Sequence, residues 1–86
     1  MQFYAILEYS NGVMYGQRIK ELREEKNLSQ EKLAELLHCN QRTVSKYEHE
    51  EIDLGTQTII NLCRIFKVSA DYLLGMEDDT GAKNFR

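Results

Sequence analysis

Gln41, Arg42, Ser45, Lys46 and His49 recur at i, i+1, i+4, i+5 and i+8, a spacing that gathers them on one face of a helix. That face holds polar and basic groups and no acid. The chemistry it offers is recognition. A glutamine amide can pair with the N6/N7 edge of adenine, and an arginine or lysine can address O6/N7 of guanine, both in the major groove of duplex DNA. Thr43 and Ser45 are short enough to let the helix backbone approach closely, and both can donate to phosphate. Any solvated helix face is polar, however, so the pattern by itself fits a groove-reading face and a plain solvent-facing one equally well.

Bond-making chemistry finds no comparable set of residues. The sequence shows no nucleophile–base pair, metal-ligand cluster or glycine-rich phosphate loop, so neither an enzyme nor a cofactor is expected. Cys39 and Cys63 form no CxxC pair. Lone thiols at apolar helical positions fit buried core cysteines in a reducing cytoplasm better than a disulfide or a metal site. His38 and Cys39 are adjacent but lack further ligands at site-forming spacing. No run approaches the ~20 apolar residues of a membrane span. The N-terminus lacks the basic segment and apolar core of an export signal. A cytoplasmic protein with no membrane partner is the expectation.

The elements that must position the polar face can be read from periodicity. With 86 residues and no proline, the chain suits one domain built from helices. Tyr15, Ile19, Leu22 and Lys26 predict a first helix over 15–26, stopping near Asn27. Ser29 can cap a second, with Glu31 in its first turn and Leu33, Ala34, Leu36 and Leu37 as its apolar stripe. His38-Cys39-Asn40 interrupts, and Asn40 can cap a third helix from Gln41 to Tyr47 or Glu48, anchored inward by Val44 and Tyr47. A fourth starts at Gly55-Thr56 with Ile59, Leu62, Cys63 and Phe66 inward. Ser69 caps a short fifth through Tyr72, Leu73 and Leu74, ended by Gly75 at a left-handed C-cap. The class is all-α. The three-residue connection between the second and third helices is too short for a long antiparallel hairpin and fits a steeply crossing helix-turn-helix.

The domain is expected over 14–75. Residues 1–13 differ from it: Phe3, Tyr4, Ile6 and Tyr9 are strand formers, and Asn11-Gly12 is a turn signal. They read as a short β-strand or arm for a partner chain, as a loosely packed tail, or as an extension upstream of a start at Met14. Residues 76–86 read as a polar, frayed tail. The net charge of −3 argues against a nucleic-acid partner, but it is unevenly distributed. Arg18, Lys20, Arg23, Lys26, Lys32, Arg42 and Lys46 outnumber the acids between Met14 and Tyr47, whereas Glu48, Glu50, Glu51 and Asp53 crowd the next six positions.

Taken together, the stretches RIKELREEKNLSQEKLAELL, Gln41 to Glu48 (QRTVSKYE) and VSADYLLG resemble the phage-repressor-like (Cro/XRE type) helix-turn-helix transcriptional regulators, from about Tyr15 to Gly75. The resemblance implies a five-helix lambda-repressor-like bundle that binds double-stranded DNA. It implies that Ala34 lets the two motif helices cross closely, with Leu33, Leu37, Cys39, Val44 and Tyr47 buried. Gln30 would contact phosphate through the start of its helix. Gln41, Arg42 and Lys46 would reach base edges, with Thr43 and Ser45 in support. Arg23 and Glu48 match positions that form a partly buried ion pair in some relatives, the alternative for Arg23 being an ordinary exposed side chain.

Two departures from the family pattern stand out. His38 occupies the turn position usually held by glycine, at a modest conformational cost. The acidic segment after the third helix would repel phosphate, so either the affinity for a half-site is weak or the loop bends away from DNA. One motif offers few contacts, and a homodimer on two half-sites about one helical turn apart is expected. Its interface would use the C-terminal helices, with Tyr72, Leu73 and Leu74 as candidates of which at least two belong to the core, or the N-terminal strand. The rival expectation is a protein-interaction module of the same fold, antitoxin-like, holding a protein partner through the arm or the acidic loop.

Overall fold

The computed structural model describes residues 14–76. They form five helices: α1 (Tyr15–Glu25), α2 (Gln30–Leu37), α3 (Gln41–Glu48), α4 (Thr56–Phe66) and α5 (Ala70–Leu73), with no strand among the described residues. The arm expected over 1–13, and all but the first residue of the tail expected over 76–86, lie outside them. No helix of the described residues is long and apolar enough to cross a membrane.

Three helices start on side-chain caps. Ser29 Oγ accepts from the Lys32 amide at 3.0 Å, Asn40 Oδ1 from the Thr43 amide at 2.9 Å, and Ser69 Oγ from the Tyr72 amide at 3.0 Å. Each satisfies one of the N–H groups that a helix start leaves without an intrahelical partner. All five helices stop by one device. A residue at positive φ follows the last turn (Asn27, His38, Glu50, Lys67 and Gly75). The next amide then donates back to a carbonyl five residues earlier: Leu28 to Arg23, Cys39 to Ala34, Glu51 to Lys46, Val68 to Cys63 and Met76 to Asp71. This is the Schellman ending, and glycine supplies it at least conformational cost. Only Gly75 does so here. His38, at φ 60°, takes the left-handed conformation with a side chain attached. We expect His38→Gly to raise the melting temperature by about 4 °C, since relief of a non-glycine residue at positive φ is worth ~1 kcal/mol in a domain this small. Thermal melts followed by circular dichroism would show it.

The core draws on every helix: Ile19 and Leu22 from α1, Leu33 and Ala34 from α2, Val44 from α3, Leu62, Cys63 and Phe66 from α4, Tyr72 and Leu73 from α5, with Val68 between the last two. Leu37, Cys39, Tyr47 and Ile59 pack partly against it. Leu36 does not: it is 43% exposed. At ~100° per residue it points roughly opposite to Ala34, whose face is the one that meets the bundle. Lys26 continues the α1 period on paper but is the exposed C-cap. Arg18, counted above among the basic residues, is buried, with its guanidinium carbon 4.0 Å from the centre of the Tyr72 ring. It therefore ties α1 to α5 through a cation–π contact and lends no charge to the surface. Burial pushes the thiol pKa of Cys39 and of Cys63 up, which disfavours the reactive thiolate.

Beyond Tyr72 and Leu73 the C-terminal side is less complete. Ile60, Leu74 and Met76 stay exposed, and a groove of about 230 Å³ opens between α4 and α5, lined by Ile59, Ile60, Cys63, Arg64 and Ala70.

Candidate nucleic-acid interface

Val44 is fully buried and Tyr47 half-buried, so α3 is fixed in rotation by two residues three apart. The opposite side then faces outward. Gln41, Arg42 and Lys46 are exposed there, with Thr43 and Ser45 half-buried at its flanks. The Thr43 hydroxyl donates to Asn40 Oδ1 at 3.0 Å, so its proton is already committed and its methyl is the group left to offer. His49 Nδ1 lies 2.8 Å from the Ser45 carbonyl. A carbonyl only accepts, so Nδ1 carries the proton and Nε2 is the ring nitrogen left for solvent.

Behind this face runs a chain of side-chain hydrogen bonds. Arg23 Nε donates to Glu48 Oε2 at 2.6 Å and Nη2 to Oε1 at 3.3 Å, a forked pair whose side chains are 12% and 4% exposed. Arg23 Nη1 also donates to the Leu28 carbonyl at 2.8 Å. The Glu48 carboxylate, through its hydrogen bond first, holds the Arg23 guanidinium pKa above its ordinary value against the opposing effect of burial. Glu48 Oε1 accepts from Gln30 Nε2 at 3.0 Å, and Gln30 Oε1 accepts from Gln41 Nε2 at 3.0 Å. Four residues from α1, α2 and α3 are thus linked end to end, from a shielded ion pair to the exposed first residue of α3.

A family model described as Helix-turn-helix matches residues 19–73, well over half of the chain. The chain belongs to the Cro/XRE-type helix-turn-helix family. HTH-type transcriptional regulator ImmR of Bacillus subtilis (strain 168) is 38% identical to it over 69 residues, covering 80% of this chain and 54% of that regulator. The chain therefore spans little more than half the length of that relative. Among solved structures, the restriction-modification controller protein C.AhdI of Aeromonas hydrophila superposes with a TM-score of 0.65 at 32% identity, over 77% of this chain and all of that one. The P22 c2 repressor, solved with a synthetic operator, superposes with a TM-score of 0.68 over 72% of this chain and 94% of that one; at 24% identity it speaks for the fold.

In this helix-turn-helix the acidic segment after α3 is partly drawn inward. Glu50 turns toward α1, whose own N-cap, Met14, has no capping side chain. Its Oε2 accepts from the Gly16 amide at 2.9 Å, so a carboxylate 34 positions away in sequence caps the helix and meets the positive end of its dipole. The Tyr15 hydroxyl donates to the Ile52 carbonyl at 2.8 Å and fastens the same segment again. Burial first, then the charges of Glu50 and Asp53, push the Tyr15 hydroxyl pKa up and keep it a donor. Of the four acids, Glu48 is engaged by Arg23 and Gln30 and Glu50 by α1, while Glu51 and Asp53 are exposed. Among the described residues, no group of three or more His, Cys, Asp or Glu is placed to hold a metal ion.

Sequence reasoning did not find Gly16 or the capping role of Glu50. Gly16 is buried, and a Cβ built on it would lie 2.3 Å from the Glu48 carbonyl oxygen. A glycine inside a helical pattern was the available signal, since it marks a close backbone approach. Nothing in the sequence named the partner.

Proposed function

We propose that this chain is a sequence-specific regulator of transcription that binds double-stranded DNA and acts as a repressor. α3 enters the major groove: Gln41, Arg42 and Lys46 meet base edges, the Thr43 methyl suits a thymine methyl, and Ser45 supports on the backbone. Gln30 presents the first turn of α2 to phosphate. The observation that carries this reading is the outward side of α3, free of acid although Glu48 belongs to that helix, because Arg23 and Gln30 hold the carboxylate inside. The repressor works as a homodimer, since one motif buries too little against DNA for useful affinity. Ile60, Leu74 and Met76 beside the α4–α5 groove supply an apolar surface for the second copy.

The test is binding to random genomic duplex at low salt, followed by selection of bound sequences. Wild type is expected to bind and to select a two-fold related site. Arg42→Ala and Lys46→Ala should each relax the preference at particular base pairs and weaken specific binding by about tenfold or more. No binding at low salt would sink the DNA reading and leave a protein-interaction module in its place.

A further inference from the structure

We infer that Glu48, although it never reaches DNA, determines which base Gln41 accepts, acting as a positioning residue through Gln30; this rests on the DNA reading of α3 given above. The logic lies in the direction of the hydrogen bonds. Glu48 is ionised against Arg23, and a carboxylate only accepts. The Gln30 atom 3.0 Å from it must therefore be the amide nitrogen, which leaves the Gln30 oxygen to face α3. An amide oxygen also only accepts, so Gln41 answers with Nε2. One acid at the inner end thus fixes the orientation of both amides.

The consequence at the outer end is a count of donors. Of the two N–H bonds on Gln41, one is spent on Gln30, leaving one N–H and the oxygen for the groove. Adenine offers N6–H and N7, one donor and one acceptor, and matches that pair. Guanine offers N7 and O6, two acceptors, and would need two N–H groups. A glutamine free of Gln30 could turn both N–H bonds toward guanine; the tethered one cannot. Glu48 therefore makes Gln41 select against guanine as well as for adenine.

The variants that separate this from a structural role are Gln30→Ala and Glu48→Gln. Gln30→Ala leaves the Arg23–Glu48 pair in place and frees both N–H bonds of Gln41. Glu48→Gln removes the acceptor that fixes this polarity: an amide nitrogen where Oε1 now stands gives up the Arg23 Nη2 bond and donates to the Gln30 oxygen, leaving Gln41 accepting. The base pair concerned is the one whose preference Gln41→Ala abolishes. Affinities are then measured for duplexes carrying adenine or guanine there, with folding checked by circular dichroism. Wild type should favour adenine. In both variants the adenine-to-guanine ratio should fall about tenfold, while the preferences owed to Arg42 and Lys46 stay unchanged. A ratio in either Gln30→Ala or Glu48→Gln that stays within about twofold of wild type overturns the inference, as does an equal loss at every base pair or a wild-type preference for a base other than adenine. If Gln41→Ala alters no position, the assignment of α3 itself falls, a result distinct from failure of the relay.

Discussion

Gly16→Ala is expected to destabilise the domain by about 3 kcal/mol or more, enough to leave a protein of this size partly unfolded near body temperature. The added methyl would sit 2.3 Å from the Glu48 carbonyl oxygen, 2.9 Å from the Glu48 carbonyl carbon and 2.7 Å from Glu50 Cγ. Only the last of these can swing aside. The other two are backbone at the end of α3, so α1 and α3 would have to separate. That movement would pull Glu50 from the Gly16 amide and strain the Arg23–Glu48 pair. The substitution is also one that helix propensity favours, by ~1 kcal/mol for alanine over glycine. A stabilised Gly16→Ala protein in urea denaturation would show that the close approach of α1 to the end of α3 is absent in solution. Gly55, around which an added methyl would meet nothing within 4 Å, is the matched control.

Arg23→Ala is expected to cost about 3–5 kcal/mol, the loss typical when one partner of a shielded ion pair is removed and the other stays buried. Glu48, only 4% exposed at its side chain, would lose its cation and be left with the hydrogen bond from Gln30. Arg23→Lys should recover little. A single ammonium cannot make the fork to both carboxylate oxygens and also reach the Leu28 carbonyl. Removing both charges in Arg23→Met with Glu48→Leu should restore much of the stability, since two apolar side chains leave no orphan charge. Denaturant midpoints of the three proteins would establish the order, and a double variant no better than Arg23→Ala would contradict it. The pair adds no acid-side pH dependence through Arg23. Its pKa is raised in the folded state, so its contribution is complete below the unfolded value and is lost only as pH climbs through the folded one, in strongly alkaline solution.

The helices were legible in the sequence because their signals are local. Ser29, Asn40 and Ser69 stand at the caps they were expected to fill, and His38 adopts the left-handed turn despite its side chain. The rotation of α3 was legible too, since Val44 and Tyr47 leave only one side for Gln41, Arg42 and Lys46. Leu36 was misplaced because an apolar residue one position before Leu37 looks like part of the stripe until the angle from Ala34 is considered. Arg18 read as a surface charge because a cation–π contact with Tyr72 joins residues more than fifty positions apart. Separations of 25 and 34 positions likewise hid the fate of the acidic segment. Composition shows four acids in six positions, and only tertiary structure shows Glu48 turned toward Arg23 and Glu50 toward Gly16.

The three contacts that fasten α1 to the end of α3 and the segment after it (Arg23 to Glu48, Gly16 to Glu50 and Tyr15 to Ile52) bridge 25, 34 and 37 positions of sequence. Each would have to bear the entropy of closing that length of chain if it formed alone, and that cost rises only slowly with length. Closed together, they share it: once one has formed, the other two ends are held at high effective concentration. The clasp therefore behaves as a unit, and the loss of any one member weakens the other two. In the chain α2 and most of α3 lie between the linked positions, so the same closure that completes the fold also fixes the pose of α3.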